Sequence, residues 1–179
     1  MSAGMYVWKN DSGWCGLGWT ERGLLKTCFG CRTRSAARES VCACCPACDD
    51  ARTLPEWVAR TVERLDGYFR GERVEFDAPL DTGSATGFRI RAWDAARRIP
   101  FGETRSYGRL AEMAGNRAAV RAAGGAMAAN PYPVIVPCHR VVRADGKPGG
   151  YSAGGAEVKK ILLALEAGEN PDLSRIAGA

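Results

Sequence analysis

The sequence predicts an α+β protein in two parts. A small amino-terminal β-hairpin/helix domain carries a cysteine-rich, metal-binding insert, and a mainly α-helical carboxy-terminal domain carries a helix-turn-helix and a reactive loop. Three observations lead there. β-Formers and glycines fill the first thirty residues, apolar residues recur at helical spacing later, and composition breaks at a cysteine cluster and again at a turn-rich linker. At 179 residues and 46% hydrophobic, the chain can bury one good core or two small ones. No apolar run nears the roughly 20 residues of a membrane span. The amino terminus lacks a basic region followed by a continuous apolar one, so a cytoplasmic, monomeric protein is expected.

In order, Val7-Trp8, residues 14–19 and residues 24–29 supply β-formers around the turn at Glu21-Arg22-Gly23. Cysteines then crowd together: C-F-G-C, thirteen intervening residues, and C-P-A-C. Two C-x-x-C pairs so spaced match a four-thiolate zinc site, with Cys28, Cys31, Cys45 and Cys48 as ligands. Cys42 or Cys44 can substitute, and an iron–sulfur cluster or free redox thiols fit the same residues. The stretch between the pairs, T-R-S-A-A-R-E-S, has no core-forming pattern, so metal would order an insert over 28–48 that burial cannot. Residues 54–70 trace one apolar face of a helix through Trp57, Val58, Thr61, Val62, Leu65 and Tyr68-Phe69. Val74-Glu75-Phe76 reads as a short strand. The turn-rich stretch 77–87 places a boundary between domains 1–84 and 85–179.

In the second domain, residues 88–98 form a helix that Pro100 stops. Ser106 caps a short helix over 107–113, and Gly115 and Asn116 separate it from another over 117–129. Two short helices joined by A-G-N make a helix-turn-helix. The second is built almost wholly of alanine and glycine, with Arg121 projecting from it. Such a slim face suits close packing on another helix or entry into a nucleic-acid groove. Charge is uneven: residues 1–84 carry 11 Lys+Arg against 12 Asp+Glu, and residues 85–179 carry 14 against 8. Ten arginines lie between Arg89 and Arg143, opposed by Asp94, Glu103 and Glu112, a balance that suits either a polyanion or an ordinary solvated face.

The stretch N-P-Y-P-V-I-V-P-C-H-R-V-V over 130–142 holds three prolines, Pro131, Pro133 and Pro137, so it is neither regular helix nor inner strand. It presents Cys138 beside His139, the one histidine of the chain. An imidazole is one of the few groups that activate a thiol, although a buried cysteine that only packs fits the same residues. A glycine-rich loop with Tyr151 and Ser152 follows. A last amphipathic helix over 156–167 points Val158, Ile161, Leu162 and Leu165 inward and brings Glu166 near its end.

Together, R-I-P-F-G-E-T-R-S-Y-G-R-L-A, A-G-N-R-A-A-V-R-A-A-G-G-A-M-A-A-N-P, P-V-I-V-P-C-H-R-V-V, G-G-Y-S-A-G-G and K-K-I-L-L-A-L-E resemble the O6-alkylguanine-DNA alkyltransferase family over residues 85–168. The resemblance implies irreversible, single-turnover repair of duplex DNA containing O6-alkylguanine, by minor-groove binding, base flipping and alkyl transfer to a cysteine, with no cofactor for the chemistry. By position it implies Cys138 as acceptor, His139 as its base through a water, and Glu166 as the group orienting the imidazole. Asn130 braces the loop and Tyr107 protonates the leaving base. Arg121 fills the gap left by the flipped nucleotide, with Arg117, Ala122 and Gly124 beside it on the DNA. Val141, Tyr151 and Ser152 line the base pocket. The cysteine-rich insert departs from the family pattern.

Overall fold

A computed structural model describes residues 3–43 and 53–177. The chain divides into two compact units: one takes the chain up to Gly83 and again from Asp172, the other runs Ser84–Pro171.

The first unit is built on an antiparallel meander of β1 (Gly4–Asn10), β2 (Gly13–Thr20) and β3 (Gly23–Cys31), in that order. The expected hairpin is thus three strands. One sheet face receives α1 (Arg34–Cys42), whose first turn is capped by the Thr33 hydroxyl accepting from the Ala36 amide at 3.1 Å. This stretch has no core-forming pattern in the sequence, yet it is a packed helix and not a segment that only metal could order. Two buried residues four apart, Ala37 and Val41, suffice, because the sheet opposite them is glycine. A Cβ on Gly18 would lie 2.7 Å from Val41, so only glycine admits the helix so closely.

The helix α2 (Glu56–Phe69) buries Val58, Thr61, Leu65, Tyr68 and Phe69. Its Asp66 carboxylate accepts from Trp8 Nε1 at 2.8 Å and Asn10 Nδ2 at 2.9 Å, tying the first hairpin to it. Residues 74–76 are not a strand, contrary to expectation. The backbone bonds along that edge of β3 run instead between Leu24 and the chain at Pro79 and Asp81, at 2.8 and 2.7 Å. The tail also joins this unit. A 3-10 turn over Leu173–Ile176 returns to β3, where Ile176 packs against Gly30.

The second unit comprises α3 (Gly87–Arg97), β4 (Arg105–Ser106), α4 (Tyr107–Met113), α5 (Val120–Ala128), a 3-10 turn at Cys138–Arg140, β5 (Val141–Val142) and α6 (Gly155–Glu166). Helix α5 starts three residues later than the sequence suggests, because the Asn116 side chain accepts from Ala118 N and holds a turn there. Two connections place the site. Strands β4 and β5 pair in parallel, Arg105 with Val141 and Ser106 with Val142, which sets Tyr107 at the start of α4 beside the cysteine loop. Trp93 of α3 donates to the Ala126 carbonyl at 2.9 Å and meets the Tyr132 ring edge-on at 5.6 Å, fixing α5 against the same loop. Among the described residues no helix is long and apolar enough to cross a membrane.

Candidate active site and nucleic-acid interface

The prolines between Asn130 and Cys138 leave few backbone donors, and Asn130 handles the groups that remain. Its Oδ1 accepts from Tyr132 N at 2.9 Å, while its Nδ2 donates to the Val136 carbonyl at 2.8 Å and to the Cys138 sulfur at 3.1 Å. One amide side chain therefore closes the loop and addresses the thiol. Val134 inside it takes φ 74°, a left-handed conformation costly for a β-branched residue. Cys138, at the start of the 3-10 turn, is 3% exposed.

Behind the thiol lies a buried charge network. His139 Nε2 is 2.6 Å from Glu166 Oε1. Arg140 Nε lies 2.9 Å from Glu166 Oε2, Arg140 Nη2 is 3.1 Å from Oε1, and the Gly102 amide donates to Oε2 at 3.0 Å. Arg140 also donates to the Ile99 carbonyl at 2.7 Å. Burial pushes the Glu166 carboxyl up, but the hydrogen bonds and charges of His139 and Arg140 outweigh it and hold its pKa at about 2. Burial lowers the pKa of His139 despite that carboxylate, so the ring is neutral at pH 7. A carboxylate only accepts, so Nε2 carries the hydrogen and Nδ1 the basic lone pair.

Cys138 is not a resting thiolate. Burial raises its pKa, and the groups opposing that rise are the Asn130 amide, Lys159 and Tyr151. The thiol is protonated at rest and needs a base before it can react. Burial and the nearby thiol also raise the Tyr107 phenol, which keeps it a proton donor.

These groups meet at a cavity of about 370 Å³ lined by Tyr107, Gly124, Met127, Ala128, Cys138 and the loop Gly150-Tyr151-Ser152, within the usual range for a small-molecule site. Tyr107, Gly124, Tyr151 and Ser152 thus converge as the sequence suggests. Val141 is not among the lining residues, and its carbonyl accepts from Lys159 Nζ at 2.5 Å. Helix α5 turns Ala123, Ala126 and Met127 inward and leaves Arg121, Ala122 and Gly125 exposed, as is Arg117 before it. A Cβ added to Gly124 or Gly125 would meet nothing within 4 Å. The slim face is therefore turned outward, not packed on another helix.

Several arginines read as one basic face are committed internally. Arg91 donates to the Ala114 carbonyl and Arg98 to that of Met113, closing the end of α4, and Arg140 serves Glu166. Arg105 pairs with Glu103, and Arg109 with Glu112. Sequence reasoning missed Arg140, Lys159 and Met127. The signal for Lys159 was available: it sits seven residues before Glu166, on the same side of α6 as Leu162.

Of the proposed metal ligands, Cys45 and Cys48 lie outside the described residues, as does the alternative Cys44; Cys42 ends α1. Cys28 and Cys31 both lie on β3, where i and i+3 ordinarily face opposite ways. A bulge intervenes: the register slips between Gly16↔Cys28 and Trp14↔Cys31, and Gly30 takes φ 68°. The two thiols meet. Hydrogen bonding between them raises the Cys28 pKa and lowers that of Cys31 to about 7. Among the described residues no three metal-binding side chains cluster.

Fold and site define a class: a helix-turn-helix protein built around one buried cysteine with its own proton-handling side chains. Residues 87–168 match the family model described as 6-O-methylguanine DNA methyltransferase, DNA binding domain. A methylated-DNA–protein-cysteine methyltransferase of Mycolicibacterium paratuberculosis is 49% identical over 117 residues, which is 65% of this chain and 70% of that one. The crystal structure of the Mycobacterium tuberculosis O6-methylguanine methyltransferase superimposes with a TM-score of 0.73 at 36% identity, covering 94% of this chain and 95% of that chain. The M. tuberculosis protein in complex with DNA gives 0.75 at 35% identity, covering 95% and 97%. The chain belongs to the methylated-DNA–protein-cysteine methyltransferase family.

Proposed function

We propose that this protein repairs DNA by moving the alkyl group from O6 of guanine irreversibly onto Cys138, after binding the minor groove and flipping the damaged base out. The observation that carries the reading is a buried, protonatable thiol at the wall of a base-sized cavity whose opposite side is the slim helix α5. Base flipping costs a few kcal/mol. Arg121, exposed on α5, occupies the vacated stack, and Arg117, Ala122 and Gly124 face the backbone and groove. The extruded base enters between Tyr107, Tyr151 and Ser152, the Ser152 amide towards O6.

In the transfer, His139 Nδ1 takes the Cys138 proton through a water, and Glu166 steadies the imidazolium. The sulfur forms a bond to the alkyl carbon as the carbon–O6 bond breaks, its electron pair passing to the purine. The Tyr107 phenol protonates that leaving base at N3. A thioether has no comparable leaving group, so the reaction is stoichiometric. Asn130 holds the sulfur in place throughout. No step draws on a cofactor.

For the insert, the finer reading is structural zinc on Cys28, Cys31, Cys45 and Cys48. Two adjacent thiols, one with a pKa of about 7, fit half of such a site. When bound, the ion would cross-link the insert. Metal content of the purified protein, lost together with order in the insert on chelation, tests it.

The main test is mass spectrometry after exposure to duplex carrying O6-methylguanine. One methylene's mass gained on the Cys138 peptide supports transfer. An unmodified Cys138 beside bound, damaged duplex refutes it, and Cys138→Ala should bind that duplex without gaining mass.

A further inference from the structure

Lys159 is the residue of this site that the mechanism above leaves unused. Its side chain is 0% exposed, although an ammonium is almost never buried without a partner. Nζ donates to the Val141 carbonyl at 2.5 Å, three residues beyond Cys138, and lies 5.9 Å from the centre of the Tyr107 ring. It is thus held beside the backbone that follows the acceptor cysteine and beside the Tyr107 ring, and both Cys138 and Tyr107 line the cavity. Glu166, the buried carboxylate of this unit, is spent on His139 and Arg140.

We propose that Lys159 is a positioning residue for the alkyl transfer: its ammonium is the countercharge that lets the buried Cys138 ionise at the wall of the cavity. The inference rests on the reading of Cys138 as the alkyl acceptor. Each group facing the sulfur bears on the claim. From α4 comes the Tyr107 phenol, neutral; from the glycine-rich loop the Tyr151 phenol, neutral; from the loop base the Asn130 amide, uncharged. His139 adjoins in the chain and is neutral, and Arg140 is neutralised by Glu166. Lys159 on α6 supplies the positive charge. Burial pulls its ammonium below the usual lysine range, and the Cys138 charge counters that pull. Each charge therefore makes the other affordable.

The cycle balances. The Cys138 proton leaves through His139, the sulfur pair forms the carbon–sulfur bond, and the leaving base takes its proton from Tyr107. Lys159 loses and gains no bond. It faces a negative charge only when Cys138 is ionised, as in the reaction or in a titration to high pH, and a neutral thioether after transfer, so at high pH its ammonium is harder to keep once the cysteine is alkylated.

The test measures single-turnover methyl transfer from O6-methylguanine duplex against pH for wild type, Lys159→Met and Lys159→Arg, with folding followed by circular dichroism. Lys159→Met should shift the midpoint of the rate profile upward by about one pH unit, slowing transfer about tenfold at neutral pH. The gap should close at high pH, and Lys159→Arg should restore the midpoint. A Lys159→Met profile with the wild-type midpoint, whether unchanged or uniformly slower, overturns the proposal. A measurement needing no variant runs beside it. Nitrogen-15 lysine resonances of wild type are titrated before and after methylation, and the Lys159 midpoint should fall on methylation. An unchanged midpoint also overturns it. Wild type gaining no mass on Cys138 refutes the alkyl-acceptor reading itself, and so separates the two failures.

Discussion

Replacing Glu166 with glutamine changes no volume and removes one charge from a fully enclosed network. Glutamine offers one carbonyl oxygen where the carboxylate offers two. If that oxygen serves His139 and Arg140 Nη2, the new amide donor faces the Gly102 amide and Arg140 Nε, which lie 3.0 and 2.9 Å from Oε2. Donors then oppose donors, and the Arg140 guanidinium, 8% exposed, loses its counterion. Breaking a buried pair in this way costs about 3–5 kcal/mol, which lowers the melting temperature of a protein this size by roughly 6–20 °C. The pH dependence sharpens the claim. The Glu166 pKa is depressed from 4.5 to about 2. Its contribution is therefore complete above about pH 4.5 and disappears as pH falls towards 2. Thermal melts of wild type and Glu166→Gln should differ most at neutral pH and converge across that acidic window. A constant gap, or none at pH 7, would refute the network as a source of stability.

Three further outcomes follow from the same geometry. Tyr107→Phe should bind damaged duplex normally but transfer the methyl group roughly 100-fold more slowly, as expected for loss of a proton donor; equal single-turnover rates would remove Tyr107 from the chemistry. Arg121→Ala should lower the fraction of extruded base, read by a fluorescent base analogue opposite the lesion, more than it lowers affinity for undamaged duplex. Gly125→Ala should raise stability by about 0.5–1 kcal/mol, since the site is helical and a Cβ there meets nothing; a lower melting temperature would mean the face is packed after all.

Most helix boundaries in the second unit, the start of α5 excepted, were legible because capping chemistry is local. Ser106 accepts from Arg109 N at 3.1 Å and starts α4 where the sequence places it. The first unit was harder. Helix α1 has almost no apolar stripe of its own and exists because glycines on β2 admit it, a property of the partner strand. Residues 74–76 have strand-like composition, but the edge they would need is taken by residues 79–81. Nor does a count of arginines tell Arg91 or Arg98, exposed but bound to helix-end carbonyls, from Arg121.

Proline, cysteine, histidine and asparagine in one short run determined which atoms can react, because their chemistry and backbone limits belong to the residues themselves. The partners of those atoms are another matter. That the thiol is protonated at rest, that Arg140 steadies Glu166, and that a lysine from α6 approaches the acceptor sulfur all depend on segments far apart in the chain. Electrostatic effects scale with distance and burial, and both are set only when the chain has folded.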